Sequence, residues 1–112
     1  MCTKSQLEAI EEEMVNYYRS VYGDSIDTII LYGSYARGDY SDDSDIDITA
    51  IVRGNRVELQ KKLKKMWDFS TEVGLAYDVS VSPTVIPYDE FEQYKEKLPY
   101  YRNIVKEGRK IG

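Results

Sequence analysis

Gly33-Ser34-Tyr35-Ala36-Arg37-Gly38-Asp39-Tyr40-Ser41-Asp42-Asp43-Ser44-Asp45-Ile46-Asp47 decides the fold: a Gly-Ser pair, ten residues, then Asp-x-Asp. Two strands bracket it. Upstream, Thr28-Ile29-Ile30-Leu31-Tyr32 is β-branched and apolar on both faces, as a strand buried between layers must be. Downstream, Asp45 to Val52 alternates with a period of two and stops at Arg53-Gly54. Residues two apart on a strand point the same way, so Asp45 and Asp47 set two carboxylates side by side while Ile46 and Ile48 face the core.

Like charges opening an apolar strand are costly unless something neutralises them. A hard divalent cation does so, and Mg²⁺ in particular is held by one or two carboxylates together with substrate phosphates. The other half of the stretch suits the phosphates. Gly33 lets the backbone turn tightly and lets a phosphate approach, and the Ser34 hydroxyl and neighbouring N–H groups donate to it. Arg37 reads equally as a phosphate donor or as an internal partner for nearby aspartates. Asp39, Asp42 and Asp43 read as solvated turn residues. A lone Asp-x-Asp, or Gly-Ser after a strand, is an ordinary turn signal; the combination carries the weight.

Working outward, Ser5 and Glu8 form a capping box for a helix over Leu7, Ile10, Met14 and Val21 that ends near Gly23. Asn55 caps a second helix, with Leu59, Leu63, Met66, Ser70 and Val73 as its buried stripe and Gly74 as its stop. Tyr77 to Val81 alternates again and is closed by Pro83, which predicts a third strand with Asp78 at its start; Thr84 to Pro87 either extends it or forms a loop. That carboxylate either joins the first two or is a solvated strand end. Phe91, Tyr94 and Leu98 mark a third helix ended by Pro99, with a further turn or two before Gly108. The order is α-β-β-α-β-α, an α/β fold with a small mixed sheet of at least three strands flanked by helices, built as one domain over residues 1–112.

Composition narrows the chemistry. The chain has 15 Lys+Arg against 20 Asp+Glu, a net charge of −5, so direct nucleic-acid binding is not expected. With no histidine, catalysis falls to carboxylates, hydroxyls, Lys or Arg. The single cysteine, Cys2, excludes an internal disulfide and a thiolate metal cluster. No apolar run is long enough to span a bilayer and the N-terminus lacks a signal-peptide apolar region, so a cytoplasmic location without membrane contact is the expectation. Eleven tyrosines are many for 112 residues. Tyr17, Tyr18, Tyr22 and Tyr32 are expected to pack the core edge, and Tyr35 and Tyr40 to lie where a base or partner is touched.

The Gly33 to Ile48 stretch resembles the signature of the DNA polymerase beta-like nucleotidyltransferase superfamily, specifically the minimal nucleotidyltransferases. The leading helix, the strand before Gly33, Tyr77-Asp78-Val79 and the terminal Pro99 to Gly108 segment extend the likeness over nearly the whole chain. The resemblance implies that Asp45 and Asp47 bind Mg²⁺, that Asp78 completes a catalytic triad, and that Gly33, Ser34, Arg37 and Ser44 hold the triphosphate of ATP. Two metal ions fit that scheme. It further implies an antitoxin that transfers AMP to a tyrosine of a cognate HEPN-domain toxin, with which it forms a hetero-oligomer. The competing expectations are a non-catalytic module that occludes its toxin and an adenylyltransferase acting on a small molecule.

Overall fold

The computed structural model describes residues 3–112, and Cys2 lies outside them. Helix α1 spans Lys4–Tyr22. Its capping box falls two residues before the expected Ser5 and Glu8: the Thr3 hydroxyl accepts from the Gln6 N–H at 3.1 Å, and the Gln6 side chain accepts from the Thr3 N–H at 2.9 Å. A single 3-10 turn, Gly23–Ser25, leads into β1, Ile26–Tyr32. The one-turn helix α2, Ser34–Arg37, and a turn carry the chain to β2, Asp45–Val52. Then follow α3, Arg56–Tyr77, and β3, Ser80–Pro87. Helices α4, Tyr88–Tyr94, and α5, Pro99–Glu107, precede a two-residue strand β4, Arg109–Lys110.

The four strands form one mixed sheet in the order β3-β2-β1-β4, with β2 and β3 parallel and the other pairs antiparallel. The expected α/β architecture is therefore the observed one. Three local expectations are corrected. The third strand begins at Ser80, after the predicted Tyr77 to Val81 window has half passed; of the two readings of Thr84 to Pro87, the strand takes the extension and runs to Pro87. Pro83 is tolerated because β3 is an edge strand, where a missing N–H leaves no ladder bond broken. Gly74 does not stop α3: a Cβ there would meet the Val79 carbonyl oxygen at 2.6 Å, so the glycine lets the chain cross back over the helix. Pro99 opens α5 at its first turn, a position where its missing donor costs nothing.

Alternation along β2 sorts the sheet into two faces. Ile46, Ile48, Ala50 and Val52 join Ile29 and Leu31 beneath α1 and α3, packed against Met14, Tyr18, Leu63 and Met66. Each fully buried Ile or Leu here contributes roughly 1.5–3 kcal/mol. On the opposite face Ile51 and Ile86 pack with Phe91, Tyr101 and Ile104 from α4 and α5. These two helices cover only one end of that face. The other end is polar, and rows across the strands bring Tyr32, Asp47 and Ser82 abreast, then Asp45 and Ser80.

Buried tyrosines tie the layers together. The Tyr18 hydroxyl lies 3.1 Å from the Ile48 carbonyl and 2.8 Å from that of Thr84, and the Tyr22 hydroxyl donates to the Leu59 carbonyl at 2.9 Å. Burial pushes the Tyr18 phenol well up and those of Tyr22 and Tyr101 to about 12. A folded pKa above the unfolded value of about 10 means stability is full below pH 10 and is lost as pH climbs toward 12. Alkaline titration is therefore expected to unfold the protein cooperatively above pH 10, with circular dichroism and phenolate absorbance changing together. Phenolate appearing at ordinary pH with the fold intact would contradict this.

Candidate active site

The two carboxylates that the alternation of β2 predicted on one face are there, at its N-terminal end. Asp45 is exposed and Asp47 half-buried. Burial is the largest cause of a raised Asp47 pKa, the Asp45 charge adds to it, and the Arg37 charge opposes both. Among the described residues neither aspartate side chain has a hydrogen bond or ion-pair partner. The pair therefore carries a charge that no bonded partner neutralises and that Arg37 offsets only in part, in a place where a cation would relieve it.

Gly33 makes this arrangement possible. Its backbone, φ 76° and ψ −157°, lies in a region essentially closed to other residues, and it caps α2. A Cβ on it would stand 2.5 Å from Asp47 Oδ2. The carboxylate thus rests on the bare face of the glycine. Ser34 follows as the first residue of α2, and its hydroxyl has no partner among the described residues, which leaves it open to a phosphate oxygen.

Arg37 is taken up internally. It donates to Asp39 at 3.2 Å and to Glu107 of α5 at 3.1 Å, so it fixes the Gly33 loop to the C-terminal helix while its charge acts on Asp47 at longer range. Of its two readings, the structure shows the internal partner. Ser44 likewise has a local role: its hydroxyl accepts from the Ser41 N–H at 2.9 Å and closes the turn before β2. Tyr35 is buried in the main core, which corrects the expectation that its ring meets a base or partner, and it stacks on the half-buried Tyr40 with centroids 4.2 Å apart.

Asp78 is the main correction. It lies before β3 rather than on it, in the left-handed conformation (φ 56°), as the C-cap of α3, with its N–H donating to the Gly74 carbonyl. The cross-strand neighbours of Asp45 and Asp47 are Ser80 and Ser82. Among the described residues no three acidic side chains converge as a metal-holding group, so the expected Asp45–Asp47–Asp78 cage is not assembled. Asp78 instead lines a cleft of about 630 Å³ with Asp42, Asp43, Asp45, Ser80 and the exposed Trp67 and Leu75 of α3. Asp78→Gly is expected to raise stability by about 0.5–1 kcal/mol, because glycine suits a left-handed cap. It should leave nucleotidyl transfer within a few-fold of wild type; loss of transfer comparable to that of a β2 carboxylate variant would restore the triad.

Sequence reasoning missed the hydroxyl pair of Tyr32 and Tyr100. Tyr32 packs at the edge of the second core cluster as expected, but its hydroxyl also lies 2.7 Å from that of Tyr100 and 3.5 Å from Thr84 Oγ1, on the carboxylate face. Only the parity of β1 relative to Asp47 carried a signal for it; Tyr100 had none, since the start of α5 depends on tertiary packing.

A family model described as a nucleotidyltransferase domain matches residues 8–111. A Methanocaldococcus jannaschii protein named putative protein adenylyltransferase MJ0604 is 37% identical over 98 residues, covering 88% of this chain and 90% of its own length. A second protein of that description from the same organism, MJ0141, is 32% identical over 97 residues, 79% of this chain and 96% of its own. The solved structure of a putative minimal nucleotidyltransferase shares the fold with a TM-score of 0.60 at 17% identity, over 94% of this chain and 92% of that one. A chain from a toxin–antitoxin crystal structure with AMP-PNP shares it with a TM-score of 0.53 at 17% identity, over 90% and 72%.

Proposed function

Because the chain belongs to the nucleotidyltransferase-domain family and is a nucleotidyltransferase, we propose that it transfers AMP from ATP to a hydroxyl of a partner protein and releases pyrophosphate. The acceptor the sequence resemblance points to is a tyrosine of a HEPN-domain toxin, which the transfer would silence. The observation that carries the reading is the Asp45 and Asp47 pair, without a bonded partner among the described residues and with Asp47 resting on Gly33. Two relatives named as putative protein adenylyltransferases, and a fold neighbour crystallised as a toxin–antitoxin with AMP-PNP, support it.

The donor set fits magnesium: two oxygen ligands one strand-pitch apart, with the remaining coordination left to phosphates and water. Asp45 and Asp47 would hold the ion, which when bound neutralises charge on the triphosphate and its leaving group. The Ser34 hydroxyl would receive a phosphate oxygen, and Gly33 gives it room. Arg37 keeps this loop in place through Asp39 and Glu107. The work of these residues is positioning and electrostatics: the acceptor hydroxyl attacks the α-phosphorus in line and pyrophosphate departs. The cleft beside Asp45, walled by Trp67 and Leu75, provides an approach for a protein surface.

Intact-mass measurement of a co-expressed partner with MgATP tests the reading. Increments of whole AMP units are expected, and none with the Asp45→Ala/Asp47→Ala chain. A partner neutralised equally well by that double variant, without any mass increment, would mark occlusion instead.

A further inference from the structure

The transfer chemistry proposed above needs an acceptor hydroxyl on the face of the β2 carboxylates, and this chain places phenols of its own on that face. Tyr32 stands directly across from Asp47 in the β1–β2 ladder, on the same face, and the Asp47 charge acts on its phenol. From Tyr32 the contacts run straight to Tyr100: hydroxyl to hydroxyl at 2.7 Å, rings edge-on with centroids 5.9 Å apart. Tyr100 is nevertheless 47% exposed, whereas its neighbour Tyr101 is buried and spends its hydroxyl on Glu90. The position is held on two sides. Tyr101 and Ile104 anchor α5 in the second core cluster, and Glu107 binds Arg37 of the Gly33 loop. An exposed phenol is thus fixed against Tyr32, the cross-strand neighbour of Asp47, by the same helix that braces the Gly33 loop.

We propose that Tyr100 is a self-modification site, taking AMP from ATP bound in the same chain. This rests on the reading of the site as an AMP-transferring one. In the step, the Tyr100 phenolic oxygen bonds to the α-phosphorus and the bond from the α-phosphorus to the bridging oxygen breaks. Pyrophosphate leaves with that electron pair, and the phenolic proton goes to water; the product is a tyrosyl–AMP phosphodiester. Once made, the adduct places a nucleotide over the Tyr32 end of the carboxylate face, where it obstructs the next ATP. Self-transfer therefore acts as a single-turnover brake when no partner acceptor is present. Tyr32 is the positioning residue that holds the acceptor hydroxyl.

The test uses the purified full chain with MgATP alone, followed by intact mass and peptide mapping. One AMP on Tyr100 is expected, at a rate independent of protein concentration, and none in Tyr100→Phe. An Asp45→Ala/Asp47→Ala chain mixed with wild type should stay unmodified. A bare Tyr100, AMP on another residue, or labelling of the inactive chain by the active one would each overturn the inference. Calorimetric titration with MgATP and labelling of a co-expressed partner separate the two proposals. If the wild type binds MgATP and labels the partner while Tyr100 stays bare, only self-modification fails; if it does neither, the reading of the site fails with it.

Discussion

An Asp47→Asn chain is expected to melt higher than wild type and to lose nucleotidyl transfer by at least about 100-fold, roughly 3 kcal/mol of transition-state stabilisation. Both effects come from one fact. The Asp47 carboxylate is half-buried, sits beside Asp45, and has no bonded partner among the described residues, so folding raises its pKa. A raised carboxylate pKa means the charged form is disfavoured by the fold. That cost is full at neutral pH, and it shrinks as pH falls through the folded pKa toward the unfolded one near 3.9. Replacing the charge by an isosteric amide removes the cost. A gain of about 0.5–1 kcal/mol, a few degrees in Tm, is the expected size for relieving such a functional strain. The advantage should narrow in acid.

Saturating MgATP reverses the order of the melting curves. Ligand at about 100 times its Kd stabilises the wild type by about 2.7 kcal/mol, while the variant, lacking one of two magnesium ligands, gains far less. Differential scanning calorimetry with and without MgATP, at neutral and mildly acidic pH, reads all of this. A variant that melts lower than wild type without nucleotide would show that Asp47 is paired and structural.

Most of this face was legible because β2 obeys a period of two. Asp45 and Asp47 were assigned to one side, and Ile46 and Ile48 to the other, from alternation alone, and the strand bounds agree. The stripe on α3 was equally clear, since Leu59, Leu63, Met66, Ser70 and Val73 are all buried. What failed was decided by tertiary contacts. Asp78 looked like the first residue of a strand because Val79 and Val81 alternate with it; the chain crossing over Gly74 instead holds it as a helix cap. Pro83 looked like a strand terminator, a rule that lapses on an edge. Strand β4 is too short for any periodicity and exists because β1 offers it an unpaired edge at Ile30 and Leu31. Of the two partners of Arg37, Asp39 was within the reach of sequence reading, whereas Glu107 lies 70 residues away and left no signal.

Gly33→Ala is expected to abolish transfer almost as completely as loss of a carboxylate, and for a reason separable from stability. The backbone at φ 76° and ψ −157° costs a non-glycine residue on the order of 1–3 kcal/mol. The added methyl would also stand 2.5 Å from Asp47 Oδ2, closer than any real Cβ contact, so the carboxylate must move. A displacement of about 1 Å at a reacting centre is enough for a loss of about 100-fold. Gly38→Ala supplies the control. Gly38 is also left-handed, φ 87°, but a Cβ there has nothing within 4 Å. Both variants should therefore lose stability, by about 1 kcal/mol at Gly38 and more at Gly33, while only Gly33→Ala loses catalysis. Combining Gly33→Ala with Asp47→Ala removes the colliding carboxylate, so the two stability changes should fail to add. Strictly additive melting temperatures, or Gly33→Ala retaining wild-type transfer, would show that the glycine serves the turn alone and that the resting place of Asp47 is set by something else.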